Sequence, residues 1–256
     1  MPDNEKKYVY FMSDAHLGAR YVTDSQAHER RVVSFLDSIK GKCAELYLLG
    51  DMLDYWYEYS NLVPKGHVRF LGKLAELSDS GIKIYWMLGN HEVMLGDEML
   101  NEIGMTVLDG KCVRTVMDKK FLLSHGDDVA EPRSSYKFMK WCFRSGLCRW
   151  LFELIHPVFA TKVGTGWSKS NRQRRVVSAE DIARVKQYAI TGLEKDVAEG
   201  CEFDYAVFGH LHSQGEAVLS NGARVLMLGE WISGSSYVEF DGQEANLKKF
   251  NFTAND

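Results

Sequence analysis

The sequence predicts a layered α/β fold. Three observations carry that expectation. Short apolar, β-rich runs alternate with helix-like or turn-rich stretches. Those runs stop abruptly at Gly, Asp, His or Asn. The chain has 256 residues, 45% of them hydrophobic, with mixed charge. That suffices to bury a substantial core in one large domain or two small ones.

Residues 8–12 (YVYFM) read as the first strand and run into Ser13-Asp14-Ala15-His16. Residues 25–40 read as a helix. Residues 45–49 (ELYLL) read as the second strand and end in Gly50-Asp51. A second helix is expected over 67–80, with Leu71, Leu74, Ala75 and Leu77 at helical spacing. Residues 84–88 (IYWML) form the third strand and deliver Gly89-Asn90-His91-Glu92. Two later strands, 121–123 and 204–208, run into Ser124-His125-Gly126-Asp127 and Gly209-His210-Leu211-His212. In such sheets the carboxyl ends of neighbouring strands converge, and ligands bind there. No internal repeat or low-complexity segment interrupts the pattern.

Composition narrows the class. Five cysteines (Cys43, Cys112, Cys142, Cys148, Cys201) form no Cys-x-x-Cys pair and leave one odd. This argues against a disulfide framework and suits a reducing compartment. The first residues hold no apolar run of signal-peptide length, and no stretch of about 20 uncharged apolar residues exists to span a membrane. Net charge is −4, unevenly spread. Ten Lys/Arg and one acid, Glu153, lie between Arg133 and Arg175, leaving 21 bases and 34 acids elsewhere. A basic island in an acidic chain is either a solvated face or the seat of an anionic partner.

An Asp after a strand is commonly a turn former or helix cap, and a lone His is commonly a satisfied core or surface residue. Five strand ends that all present Asp, His or Asn are another matter. Imidazole nitrogens, carboxylate oxygens and an amide oxygen are the ligands of Mn²⁺, Fe²⁺ and Zn²⁺. Thiolates are absent from the set, which speaks against a structural zinc site. No nucleophile elbow and no glycine-rich phosphate loop is found, so metal-dependent hydrolysis is favoured over a phosphoenzyme or an ATP loop.

The ordered set Asp14-x-His16, Gly50-Asp51, Gly89-Asn90-His91-Glu92, His125-Gly126-Asp127 and Gly209-His210-x-His212 resembles the calcineurin-like metallophosphoesterases. The resemblance spans residues 14 to 212. It implies a four-layer α/β/β/α sandwich: a core of residues 1–130 and 176–256, with an inserted helical lid over 131–175. It also implies two divalent ions, Mn²⁺ first, with Fe²⁺ or Zn²⁺ as alternatives. One ion would be held by Asp14, His16, Asp51 and His212, the other by Asp51, Asn90, His125 and His210, with Asp51 bridging. Two neighbouring cations repel, and a shared carboxylate offsets that repulsion; water between them is a nucleophile near neutral pH. Asp51, Asn90 and His91 are thus the expected catalytic residues, with His91 facing the substrate. Asn90, His91 and His210 would also touch it. Glu92 either orients His91 or is a surface carboxylate. Asp127 is a candidate to orient a ligand histidine.

Segments 45–56, 78–108 and 226–240 are similar to the UDP-2,3-diacylglucosamine diphosphatase family of lipid A biosynthesis. Residues 136–159 of the insert place Leu147, Trp150, Leu151, Leu154, Ile155 and Val158 on one helical face, with Cys148, Phe152 and Phe159 beside it. Phe138, Trp141 and Phe143 extend the apolar character upstream. Two readings stay open: a hairpin packed on the sandwich, or a lid that receives acyl chains at a membrane surface. The second resemblance implies that Ser168, Asn171 and Arg175 contact the substrate headgroup. It implies hydrolysis of the diphosphate bond of UDP-2,3-diacylglucosamine to UMP and 2,3-diacylglucosamine 1-phosphate. The setting would be the cytoplasmic face of the inner membrane of a Gram-negative bacterium, with no nucleic acid and no obligate protein partner. Two positions depart from that family: His91-Glu92 stand where it has Arg-Asp, and Arg133 lies near an expected acid. A phosphoesterase for another nucleotide, phosphodiester or phosphoprotein, and a binding module without chemistry, are the alternatives.

Overall fold

In the computed structural model the apolar run Tyr8–Met12 forms β1, around which the larger sheet is built. The structure describes residues 8–57, 59, 62, 65–92, 97–127, 145–159 and 178–252. β1 pairs in parallel with β2 (Cys43–Leu49), β2 with β3 (Lys83–Met87), and β3 with the short β4 (Thr106–Leu108). On the other side β10 (Ser236–Phe240) and β11 (Ala245–Lys249) join antiparallel. The second sheet has the order β5 (Cys112–Val116), β6 (Lys119–Ser124), β7 (Tyr205–Phe208), β9 (Arg224–Met227) and β8 (Gly215–Val218). Its middle pairs, β6–β7 and β7–β9, are parallel.

The two sheets face each other across one apolar layer, which includes Val9, Phe11, Tyr47 and Leu49 from one side and Phe121, Leu123, Val207 and Leu226 from the other. A ladder of stacked rings, Tyr85–Tyr47–Phe11–Phe121–Tyr205, crosses both sheets at centroid spacings of 4.7, 4.8, 5.1 and 4.9 Å. These alternate-face aromatics explain why strands buried on both sides read as nearly continuous apolar runs.

Helices cover the outer faces. On the first sheet lie α1 (Ser25–Ile39), α2 (Val68–Asp79) and α3 (Asp97–Ile103); α1 and α2 bury Val32, Phe35, Leu36, Phe70, Leu74 and Leu77. Asp24 caps α1 by accepting from Ala27 N at 2.8 Å. The start of α2 lacks its own side-chain cap. Glu29 of α1 supplies one instead, accepting from Arg69 N and Phe70 N at 3.1 Å each. On the second sheet α5 (Ala179–Ala198) buries Ala189 and Leu193. The four layers are those expected.

Within the 131–175 segment only residues 145–159 are described. Arg133, Phe138, Trp141, Phe143, Ser168, Asn171 and Arg175 lie outside the described residues. The helix there, α4 (Gly146–Glu153), is shorter than the single face expected across 147–158. It stops at Leu154, three residues before Pro157, whose ring disfavours helical backbone at His156. Leu147, Trp150, Leu151, Leu154, Ile155, Val158 and Phe159 are all exposed. Phe152 instead packs on buried Tyr57 of the loop after β2, ring centroids 4.5 Å apart. Among the described residues no helix is long and apolar enough to cross a membrane.

Candidate metal centre

The five strands expected to end in ligand-type residues bring them to one rim. Asp14 and His16 follow β1, Asp51 follows β2, Asn90 and His91 follow β3, His125 follows β6, and His210 and His212 follow β7. Backbone bonds knit the ends together: Asp14 N to Gly50 O at 3.0 Å, His16 N to Asp51 O at 2.9 Å, and Gly209 N to His125 O at 2.9 Å. His210 N donates to the Asp14 carboxylate at 2.9 Å and joins the two sheets.

The local backbone is unusual in the same places. Asp14, His16, Asp51, His210 and His212 all have φ between 45° and 66°; the other non-glycine residues so placed, among those described, are Met117 and Ser235. Each left-handed L-residue costs roughly 1–2 kcal/mol. Such conformations persist where surrounding structure enforces them, and they cluster at functional sites. Two glycines are needed by proximity. A Cβ at Gly89 would fall onto the Asp51 carboxylate, and one at Gly209 onto the Asp14 carboxylate and the Ser13 hydroxyl.

Two groups of donors result. The ligand atoms of Asp14, His16, Asp51 and His212 lie within 4.8 Å of one another, and so do those of Asp51, His125 and His210. Asp51 belongs to both. Asn90 Oδ1 sits 3.0 Å from His210 Nδ1 and 3.1 Å from His125 Nε2, which adds it to the second group. All seven residues predicted to bind metal are therefore brought together. A third group, His16, Asp54 and His91, contains an acid that the sequence reasoning missed. Its signal was present: Asp54 follows Asp51 by one helical-turn spacing in Gly-Asp-Met-Leu-Asp.

The donors fit cations. His125 Nδ1 lies 2.9 Å from Leu49 O and donates to it. Its Nε2 lone pair then faces Asn90 Oδ1 and, at 3.3 Å, Asp51 Oδ2. His16 Nδ1 lies 3.5 Å from Asp54 Oδ1, and His212 Nδ1 lies 3.4 Å from Glu230 Oε2. With both protons on those nitrogens, the two Nε2 lone pairs oppose each other at 3.1 Å. Acceptors turned on acceptors repel unless positive charge sits among them. Ionisation agrees in part. Burial pushes Asp51 up, but His125 and His91 beside it hold the carboxyl well below its usual range. Burial lowers His16, and burial with the neighbouring His125 lowers His210 to about 4, leaving rings free to ligate. His125 runs the other way. Burial opposes its charge, yet Asp51 raises it well above an ordinary imidazole, and a cation in that place competes with the proton.

His91 is 21% exposed at its side chain. Its Nδ1 donates to Asp54 O at 2.7 Å, and its Nε2 stands 3.9 Å from Asp51 Oδ2. Glu92 requires a correction. It is neither a surface carboxylate nor the group that orients His91. It is fully buried and accepts from Leu53 N (2.8 Å), Asp51 N (3.1 Å), Trp86 Nε1 (3.1 Å) and Gly89 N (3.3 Å). Burial and the Asp51 charge push its carboxyl up to about 7, while the donors pull it down. Asp127 lies close enough to His125 for its charge to raise that ring.

The chain matches the calcineurin-like phosphoesterase family over residues 8–214. It belongs to that family. This calcineurin-like phosphoesterase is 36% identical over 246 residues to a UDP-2,3-diacylglucosamine hydrolase of Porphyromonas gingivalis, covering 91% of this chain and 94% of the relative. Proteins of the same name from Edwardsiella ictaluri and Haemophilus influenzae are 27% and 30% identical, covering 93% and 88% of this chain and 90% and 91% of the relatives. The chain is a metal-dependent hydrolase that uses divalent metal.

Proposed function

We propose that this phosphoesterase hydrolyses the diphosphate bond of UDP-2,3-diacylglucosamine, releasing UMP and 2,3-diacylglucosamine 1-phosphate. The observation that carries the chemistry is Asp51, whose carboxylate is common to both donor groups. The substrate rests on the relatives' shared name along nearly the whole chain. One ion is assigned to Asp14, His16, Asp51 and His212, the second to Asp51, Asn90, His125 and His210; Mn²⁺ suits these nitrogen and oxygen donors. Two divalent ions, when bound, supply positive charge against the phosphate oxygens and acidify the attacking water.

The protein's own part is positional. Asn90, His91 and His210 orient the diphosphate. With Nδ1 tied to the Asp54 carbonyl, His91 keeps Nε2 toward the cleft, where it holds or delivers a proton at the leaving oxygen. His91→Ala is expected to leave metal content unchanged and to lower turnover by about 10²-fold, the usual acid-base contribution. Metal analysis and steady-state rates check this, and undiminished turnover would remove His91 from the mechanism.

The domain reading keeps residues 1–130 and 176–256 as core and 131–175 as lid, with Ser168, Asn171 and Arg175 toward the headgroup. Trp150 is 56% exposed and Leu154 67% exposed, an apolar surface suited to acyl chains and to the cytoplasmic face of the inner membrane. The direct experiment supplies Mn²⁺ and the lipid-linked nucleotide, and measures UMP. Stoichiometric UMP is expected; hydrolysis of an aryl phosphodiester without any UMP release points to another phosphoester. In the same assay Trp150→Glu should raise KM for the lipid about tenfold, the loss of about 1.4 kcal/mol of apolar burial. A small chromogenic ester should be untouched, and equal effects on both substrates would indicate packing alone.

A further inference from the structure

The strand end after β9 carries a carboxylate that the reaction above does not use. β9 runs parallel beside β7 in the second sheet. β7 continues into Gly209-His210-Leu211-His212; β9 continues into Leu228-Gly229-Glu230, again an apolar residue, a glycine and a polar side chain at the same rim. Leu228 N donates to Phe208 O at 2.8 Å, so the two ends leave the sheet side by side. The Glu230 side chain is 12% exposed, and its Oε2 lies 3.4 Å from His212 Nδ1. His212 Nε2 points away from it, 3.3 Å from Asp14 Oδ1 and 3.1 Å from His16 Nε2.

The loop is itself held. Ser233 Oγ donates to Glu230 Oε1 at 2.9 Å, and Ser235 N to Glu230 O at 3.1 Å. The next residue reaches back to the centre: Trp231 N donates to Asp14 O at 3.0 Å. Arg31 of α1 fixes the carbonyls of Trp231 and Ile232 at 2.5 and 3.0 Å. The carboxylate is therefore presented to His212 by a pinned segment.

We infer that Glu230 is a positioning residue for His212 and, through it, sets the affinity of one of the two ions. By accepting from Nδ1–H it fixes the tautomer whose Nε2 lone pair faces Asp14 and His16. A carboxylate behind an imidazole also makes the ring a stronger donor than a neutral carbonyl does. This makes the two donor groups unequal. His212 has the Glu230 carboxylate 3.4 Å behind its Nδ1 and His16 has Asp54 Oδ1 at 3.5 Å, near enough for charge although not a hydrogen bond, whereas His125 is backed by the neutral Leu49 carbonyl. The ion among Asp14, His16, Asp51 and His212 is the tighter one because of it. The inference rests on the two-ion reading above.

The test titrates Mn²⁺ into the metal-stripped full chain by calorimetry and counts bound metal after dialysis. The unsubstituted chain should bind two ions with unequal affinity. Glu230→Ala should weaken the tighter ion by about 10–100-fold, leave the other unchanged, and leave the melting temperature of the metal-stripped protein unchanged. Glu230→Gln, which keeps an oxygen acceptor without the charge, should fall between. His212→Ala should weaken the same ion as Glu230→Ala. Wild-type affinity for both ions in Glu230→Ala would overturn the inference, as would equal weakening of both with a lowered melting temperature, the mark of general loosening. Failure of the unsubstituted chain to bind two ions would sink the two-ion reading and this inference with it, and that outcome is visible without any variant.

Discussion

Asp51→Ala is expected to leave at most one divalent ion per chain and to lower phosphoester hydrolysis by at least about 10³-fold. The carboxylate is the member common to both donor groups, with Oδ2 3.3 Å from His125 Nε2 and 3.9 Å from His16 Nε2. On the proposed two-ion reading, removing it would take away the negative charge shared by both donor groups, and the repulsion between the cations would be uncompensated inside a buried site. The loss amounts to several kcal/mol of charge stabilisation, which at about 1.4 kcal/mol per decade gives the stated factor. Asp51 also accepts from His91 N at 3.0 Å, so the loop carrying His91 loosens with it. Asp51→Asn separates the two effects. It retains an oxygen for His91 N but not the charge, and should lose metal while keeping the loop. Metal content by mass spectrometry and hydrolysis of an aryl phosphodiester are the measurements. Two ions retained with full turnover in Asp51→Ala would show that the carboxylate does not bridge.

The centre was legible because its chemistry sits at strand ends, where local sequence carries both signals at once. An apolar run announces the strand, and the polar residues that follow can only lie at its carboxyl end. Convergence of parallel strands then does the rest. This is why Asp14, Asn90 and His210, far apart in the chain, were predicted together. Glu92 belongs to a different kind of information. Its neighbours Asp51 and Leu53 lie 41 and 39 residues away, and whether it points outward or inward depends on how the loops after β2 and β3 close upon each other. Glu230 was missed although its strand ends like the others, because a lone acid after glycine reads as a turn. The long helix α5 was missed for another reason. It buries only Ala189 and Leu193, so its apolar stripe is faint, although the Ser178–Asp181 capping box marks its start. In the insert, apolar periodicity ran on through 158, and Pro157 overrode it.

Glu92→Ala is expected to destabilise the fold by roughly 3–5 kcal/mol, the range for removing the acceptor of a buried hydrogen-bonded network. Three of its partners are backbone N–H groups, those of Asp51, Leu53 and Gly89, and the fourth is Trp86 Nε1. None can turn to water when the carboxylate is gone, because the site is closed over by the β2 and β3 ends. In a chain of this size the cost corresponds to a fall of about 10 °C in melting temperature. Glu92→Gln should cost less but not nothing. One oxygen remains for the crowded side, while the new NH₂ meets a backbone N–H as donor against donor. The same change should reach function without touching a proposed ligand side chain, since the bonds from Asp51 N and Gly89 N to Glu92 hold Asp51 against the turn bearing Asn90. Metal affinity is therefore expected to fall along with stability in both variants, Ala more than Gln. Calorimetric melting of the metal-stripped protein, followed by Mn²⁺ titration well below the new midpoint, measures the two separately. An unchanged melting curve in Glu92→Ala would mean that water replaces the carboxylate at no cost and that the loops are fixed by other contacts.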